Sequence, residues 1–354
     1  MRTSVRSNLL RAVSLAVVVA LLAVLPWLAG GFRLYQFTLV AIYATVILGL
    51  NILTGYNGQF SLGHGALFLI GNYVTAAMIV HWNVPYWATL PAAGIITGLV
   101  AFLVGFPALR LSGLYLALAT LGLSVAMPQI FTKWTSLSGG VEGVVLQKPA
   151  APFGLGLTSD QWLLYLAEIM ALVLFLFAWS VLRSRVGRAF VAIRDNPIAA
   201  AASGVSLTRY KTLAFGISGF YAGTGGGLAA LVVAYVAPNS YDLNFSITLV
   251  IGMVVGGAGT ILGSILGAVV VEFLPNYAQK VAQAMPGLVY GVVLLLVMYF
   301  MPRGIAGFIY LARDKARSLA RRLRGAPVGA PTPGEAVASR PGWEPGKEVA
   351  TKEH

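Results

Sequence analysis

The sequence contains no cysteine, which excludes a disulfide framework, a thiolate metal site and a cysteine nucleophile. Its three histidines, His64, His81 and His354, lie far apart and no HExxH pattern occurs, so a zinc site of the metalloprotease kind is excluded too. Charge is scarce: 10% of residues are Asp, Glu, Lys or Arg, where a soluble globular domain carries about 25%. Alternating ten-residue segments are missing, which argues against an outer-membrane β-barrel. One string, PGWEPGKE at 341–348, imitates a phosphate loop. Its spacing is one residue short and Glu348 stands where Ser or Thr is required, so the chain carries no nucleotide-hydrolysis motif of its own.

What is present is apolar length. Hydrophobic residues make up 58% of the chain, mean hydropathy is +0.81, and the apolar runs are repeatedly long enough to span a bilayer. These features define an all-α polytopic membrane protein. Spans are expected near 12–30, 35–53, 62–80, 88–108, 112–131, 161–182, 210–235, 246–274 and 287–302. The start, with Arg2, Arg6 and Arg11 before an apolar run to Trp27, imitates a signal peptide. No small-residue cleavage site follows and further spans do, so an uncleaved first helix beginning in the cytoplasm is expected.

The net charge of +13 is distributed around the spans, which favours membrane topology and lipid contact over nucleic-acid binding. One conflict arises. If 246–274 were a single span, Arg303, Arg313, Lys315, Arg317, Arg321, Arg322 and Arg324 would lie outside, against the positive-inside rule. The segment is interrupted by GGAGT (Gly256 to Thr260) and then by Gly263 and Gly267, so two short half-helices that enter and leave on one side restore the parity. The expected architecture is therefore eight full transmembrane helices plus one broken-helix hairpin, with both termini cytoplasmic. Only Arg33, Lys133, Lys148 and Lys280 then face outward among the basic residues. The expected layout is a cytoplasmic N-terminus at 1–11, a transmembrane domain at 12–308 with a cytoplasmic loop at 183–209, and a basic, largely disordered cytoplasmic tail at 309–354.

Three segments carry functional information. The first is NILTGYNGQFSLGHGALFLIGNY at 51–73, where glycines alternate with Asn57, Gln59, Ser61 and His64. Irregular backbone at membrane depth is tolerated only where it is buried in protein or lines a watery path. The second is the interrupted 256–267 segment, and paired interruptions in two halves of a transporter point to the substrate path. The candidate path residues are Asn57, Gly58, Gln59, Ser61, Gly63, His64 and Gly65, with Gly256, Gly257, Gly259 and Gly263. Close helix packing is the competing account for each glycine taken singly. For His64, a satisfied helix contact is favoured over gating. A half-helix N-terminus that attracts a carboxylate, with Gln59, Ser61 and Asn57 accepting from an ammonium group, suits an amino acid.

Glu168 lies inside a span and Glu272 closes the broken hairpin. No chain of buried ionisable residues of the kind a proton-driven carrier needs is present, which counts against secondary transport. The third segment, SRVGRAFVAIRDNPIAAAASGVSLTRYK at 184–211, contains Asp195-Asn196-Pro197, a helix start with Pro just inside the cap. It predicts a short exposed helix over 197–203 and a docking role.

These strings, with SGLYLALATLGLS (112–124), GRAFVAIRDNPIAAAASGVSLTRYKTLAFGISGFYAGTGGGL (187–228), VVGGAGTILGSILGAVV (254–270) and MPRGIAG (301–307), resemble the permeases of branched-chain amino acid ABC importers. The resemblance covers about residues 35 to 308 and is nearer the LivM branch. It implies an ABC importer permease fold in a bacterial inner membrane. It also implies a sister permease subunit, two ATP-binding cassette subunits and an extracytoplasmic substrate-binding protein as partners, with membrane lipid around the chain and no nucleic acid. No cofactor would be bound by this chain, ATP and magnesium being held by the partner subunits. The cytoplasmic loop would be the coupling element, with Gly187, Arg188, Arg194, Asp195, Asn196, Pro197 and Gly204 as the ATPase-contacting positions. The family often has an acid in the alanine run where this chain has Ala201, which bears on ATPase choice. Substrates within the family also include urea, short amides and aromatic acids. The readings outside it are a stand-alone ion-coupled carrier and an integral-membrane enzyme, and no convergent catalytic group supports the latter.

Overall fold

In a computed structural model of the chain, the described residues run 30–108, 113–152, 156–281 and 304–323, with isolated positions outside these stretches. Among the described residues, seven helices are long and apolar enough to cross a membrane. They are α1 (Phe32–Leu50, continued by a π-helical stretch Asn51–Tyr56), α2 (His64–Trp82), α3 (Tyr86–Ala108), α4 (Leu114–Lys133), α5 (Ser159–Arg183), α8 (Leu207–Val233) and α10 (Ile261–Val281). Between α5 and α8 lie two shorter helices, α6 (Arg185–Asp195) and α7 (Pro197–Ala202), and α9 (Leu243–Gly256) precedes α10. The chain is an all-α polytopic membrane protein. The only sheet among the described residues is a two-stranded ladder that pairs β1 (Val144–Val145) with β2 (Tyr235–Val236) antiparallel. The expected spans at 12–30 and 287–302 and the tail beyond 323 lie outside the described residues.

Helix α8 is the most deeply buried of the seven. Its GTGGG run (223–227) explains why. A Cβ on Gly71 of α2 would run into the Gly223 carbonyl, and one on Gly226 into the Phe68 carbonyl. Such backbone contact is how membrane helices gain dispersion energy without a hydrophobic driving force between them. The core around this seam is built from Ile42, Val46, Phe68, Leu69, Leu228 and Leu231.

The hairpin differs from the expected pair of half-helices. Helix α9 has 14 residues and α10 has 21, so the second limb is long enough to cross a membrane by itself. The chain reverses at Gly257 (φ 125°) and Gly259 (φ 75°), conformations that only glycine adopts without strain. Glu272 sits inside α10, 9% exposed, rather than closing the hairpin, and the Gln36 side chain of α1 faces its carboxyl.

By compactness the chain divides into Met1–Phe308 and Ile309–His354. The second unit opens helically, as part of α11 (Gly304–Leu323), where a largely disordered tail from 309 was expected. The stretch 309–323 contains no Gly or Pro and is rich in Ala, Leu and Arg, all strong helix formers.

Candidate functional site: two helix breaks and a cytoplasmic-type loop

Both interrupted segments meet at Asn51, the first residue of the π-helical stretch and fully buried. Its Oδ1 accepts from Gly259 N–H at 2.7 Å. Its Nδ2 donates to the Thr260 carbonyl at 2.7 Å and to Ser264 Oγ at 3.2 Å. One amide thus satisfies backbone groups that the second break leaves without helical partners. Asn51 is not one of the path residues expected from the sequence. The signal was there: an Asn at the end of a long apolar run has to find partners inside the protein.

The first break climbs along α8. Gln59 Nε2 donates to the Lys211 carbonyl at 3.0 Å, and His64 Nε2 lies 2.6 Å from Ser218 Oγ. Those α8 positions are seven residues apart, roughly 10 Å of helix rise. Along the way Asn57 Oδ1 accepts from Gln59 Nε2 at 2.6 Å, and Ser61 Oγ accepts from Gly63 N–H at 3.2 Å. Leu62 N–H donates to Thr120 Oγ1 at 2.9 Å, and the Leu62 carbonyl accepts from Ser124 Oγ at 2.6 Å. Gly65 N–H, at the start of α2, donates to Ser246 Oγ at 2.8 Å, and Ser246 pairs with Ser124 at 2.9 Å.

The structure therefore brings Gln59, Ser61, His64 and Gly65 into one polar strip walled by α4, α8 and α9. Asn57, Gln59, Ser61 and His64 are all buried. The helix-contact role favoured for His64 fits its bond to Ser218, while its Nδ1 and the Nδ2 of Asn57 have no hydrogen-bond partner among the described residues. Sequence reasoning missed the four hydroxyls of the wall, Thr120, Ser124, Ser218 and Ser246. Thr120 and Ser124 share one face of α4, but Ser218 and Ser246 stand on two other helices, and only the fold collects the four.

The other glycines serve close packing and turns. Gly63 lies against the Thr120 carbonyl at the wall. Gly256 and Gly263 face each other across the hairpin, where a Cβ on the first would strike the carbonyl of the second. Gly257 packs against Gly304, and Gly259 bonds Asn51. Gly58 (φ 78°) lies against the stem of Arg194, whose Cγ is 3.0 Å from where a Cβ would stand.

The loop between α5 and α8 folds as the Asp195-Asn196-Pro197 string predicts, within one residue. Asn196 caps α7, its Oδ1 accepting from Ile198 and Ala199 N–H at 3.0 Å each, with Pro197 in the first turn. Gly204 (φ 82°) ends it, and Val205 N–H reaches back to the Ala200 carbonyl at 3.0 Å. Helix α6 was not anticipated, although Val186, Ala189, Phe190 and Ile193 recur at helical spacing and Ala189, Phe190 and Ile193 are buried. Gly187 is required where α6 abuts the Leu182 carbonyl. Arg188 is exposed and donates to the Arg183 carbonyl at 3.4 Å. Ile198 is 83% exposed, a large apolar side chain at the tip of the loop. Arg194 turns towards the first break: Nη1 donates to the Gly55 carbonyl at 3.0 Å, while Nε and Nη2 hold Asp195 Oδ1 at 3.0 and 2.9 Å.

A multi-span bundle with two glycine breaks, a polar strip between them and an exposed capped helix is a membrane permease in class. The family described as branched-chain amino acid transport system / permease component matches residues 32–301, and the chain belongs to that family. Its relatives include the high-affinity branched-chain amino acid transport system permease protein LivM of Salmonella typhimurium and that of Escherichia coli. Each is 34% identical over 227 residues, covering 58% of this chain and 53% of the relative. The chain spans about half the length of the curated relatives it matches. No solved structure matches it.

Proposed function

We propose that this chain is a transmembrane permease subunit of an ATP-driven importer that moves branched-chain amino acids into the cytoplasm of a bacterium. The observation that carries this is the joining of the two helix breaks, through Asn51 and Arg194, to the loop that bears α7. A passage whose walls are tied to an exposed docking element is built to be worked from outside itself. Two ATP-binding subunits would receive α7, a sister permease would complete the passage, and a binding protein would deliver solute. ATP and magnesium would be held by the ATPases, and this chain would shift between two global states without bond chemistry. The inner membrane would be its location, with both termini cytoplasmic.

The polar strip is the proposed path. The α2 N-terminus, where Gly65 N–H is bound by Ser246, would receive a substrate carboxylate. Asn57, Gln59 and Ser61 would face the ammonium group. The same fold serves urea, short amides or aromatic acids if the binding protein selects them, so competition against labelled leucine separates these substrates.

Docking is testable at Ile198 and Gly204. Ile198→Asp puts a charge where an apolar anchor would be desolvated, which costs about 2 kcal/mol or more at an interface hot spot. It is expected to remove the ATPases from the purified complex and to abolish uptake, and Gly204→Trp is expected to do the same. Co-purification of ATPase at the unaltered level with both variants would defeat the docking role of α7.

A further inference from the structure

Arg194 stands where three irregular elements converge. The π-helical stretch at the end of α1 leaves carbonyls without helical partners, as every helix C-terminus does, and a cation there is favoured by the helix dipole. The carbonyls of Ile52, Leu53 and Thr54 are taken by Asn57, Gln59 and Gly58 N–H. The next one, Gly55, is taken by Arg194 Nη1 from α6, 139 residues further along the chain. The same Nη1 lies 3.4 Å from where a Cβ on Gly259 would stand, so the guanidinium also abuts the second break. The stem fills the space beside Gly58. The remaining guanidinium edge grips Asp195, the residue before the cap of α7.

We propose that Arg194 is the positioning residue that carries a displacement of α6 and α7 into both helix breaks. It rests on the reading of α7 as the docking element. A planar fork with donors on two edges is needed to hold Asp195 and the Gly55 carbonyl together, and an ammonium group offers no such fork. Because Arg194 lies in the last turn of α6, it moves with that helix. Any tilt of α6 therefore pulls on the Gly55 carbonyl, and Asn51 relays it to Gly259 and Thr260. The resemblance implies an ATPase contact for Arg194, and in the structure its Nη1 donates to the Gly55 carbonyl.

The test is the amount of solute moved per ATP hydrolysed by the complete complex in proteoliposomes. Arg194→Gln is expected to lower this ratio about tenfold, the scale set by losing one charge-assisted hydrogen bond. Arg194→Lys, which keeps the stem and the charge, is expected to restore part of it. If Arg194→Gln does not accumulate, the Lys variant carries the test, with a ratio about threefold below the unaltered complex. A purely structural role would lower the amount of complex and leave the ratio of the remainder unchanged, and that result overturns the proposal. Loss of ATPase from the complex with an unchanged ratio overturns it as well, since Arg194 would then belong to the docking surface. An unaltered complex whose uptake ignores ATP would sink the importer reading and this inference together. An ATP-driven complex with no defect in either variant would sink only the inference.

Discussion

Asn51→Leu is expected to destabilise the protein by about 2–4 kcal/mol, because it removes three hydrogen bonds and leaves polar groups of the second break unpaired. The partners lost are Gly259 N–H, the Thr260 carbonyl and Ser264 Oγ. The size of the effect follows from asymmetry: a formed bond contributes modestly, whereas an orphaned polar group in a membrane bundle bears its full desolvation cost. Asn51→Asp is expected to be damaging too, since it keeps the acceptor for Gly259 but loses both donations. Thermal unfolding of the purified complex in detergent, followed by uptake in proteoliposomes, checks this. A variant with unchanged unfolding and unchanged uptake would mean that the two breaks act independently.

The second large effect lies at the α2–α8 seam. Gly71→Leu is expected to prevent the folded protein from accumulating, because the Gly223 backbone occupies the space a side chain needs. Overpacking a well-filled core by even a few methylenes costs about 1–3 kcal/mol, and here the obstacle is backbone rather than a side chain that can rotate away. Gly122 in α4 provides the control, since nothing among the described residues lies within 4 Å of a Cβ built there. Gly122→Ala is expected to leave the yield unchanged, and its helix should gain slightly in intrinsic propensity. Monodisperse yield after size-exclusion chromatography distinguishes the two substitutions.

How far the sequence spoke depends on the kind of signal. Apolar runs are long and redundant, so six of the seven spans and both breaks were legible within a few residues. The cap of α7 was legible because Asn-Pro carries its own local geometry, independent of the rest of the fold. Helix α6 was hidden, since its apolar stripe of Val186, Ala189, Phe190 and Ile193 sits among arginines that read first as topology markers. The length of α10 was misjudged because the glycines at 263 and 267 look like breakers. They are in fact the points where the helix packs on α9, close to Gly256 and Gly252. The hydroxyl wall of Thr120, Ser124, Ser218 and Ser246 was illegible in principle. Its members are scattered over three helices and become neighbours only after packing. The inward turn of Arg194 was hidden for the same reason, since a basic residue in a loop reads first as a topology marker.

The central claim is that this chain is a passage worked by separate ATPases through the α6–α7 loop. Uptake of radiolabelled leucine into proteoliposomes tests it most directly. The complete complex with its binding protein is compared, with and without ATP, against this chain reconstituted by itself under an imposed ion gradient. The account predicts accumulation only in the complete complex, only with ATP, and its loss on Ile198→Asp. Accumulation by this chain alone, driven by the gradient, would contradict it.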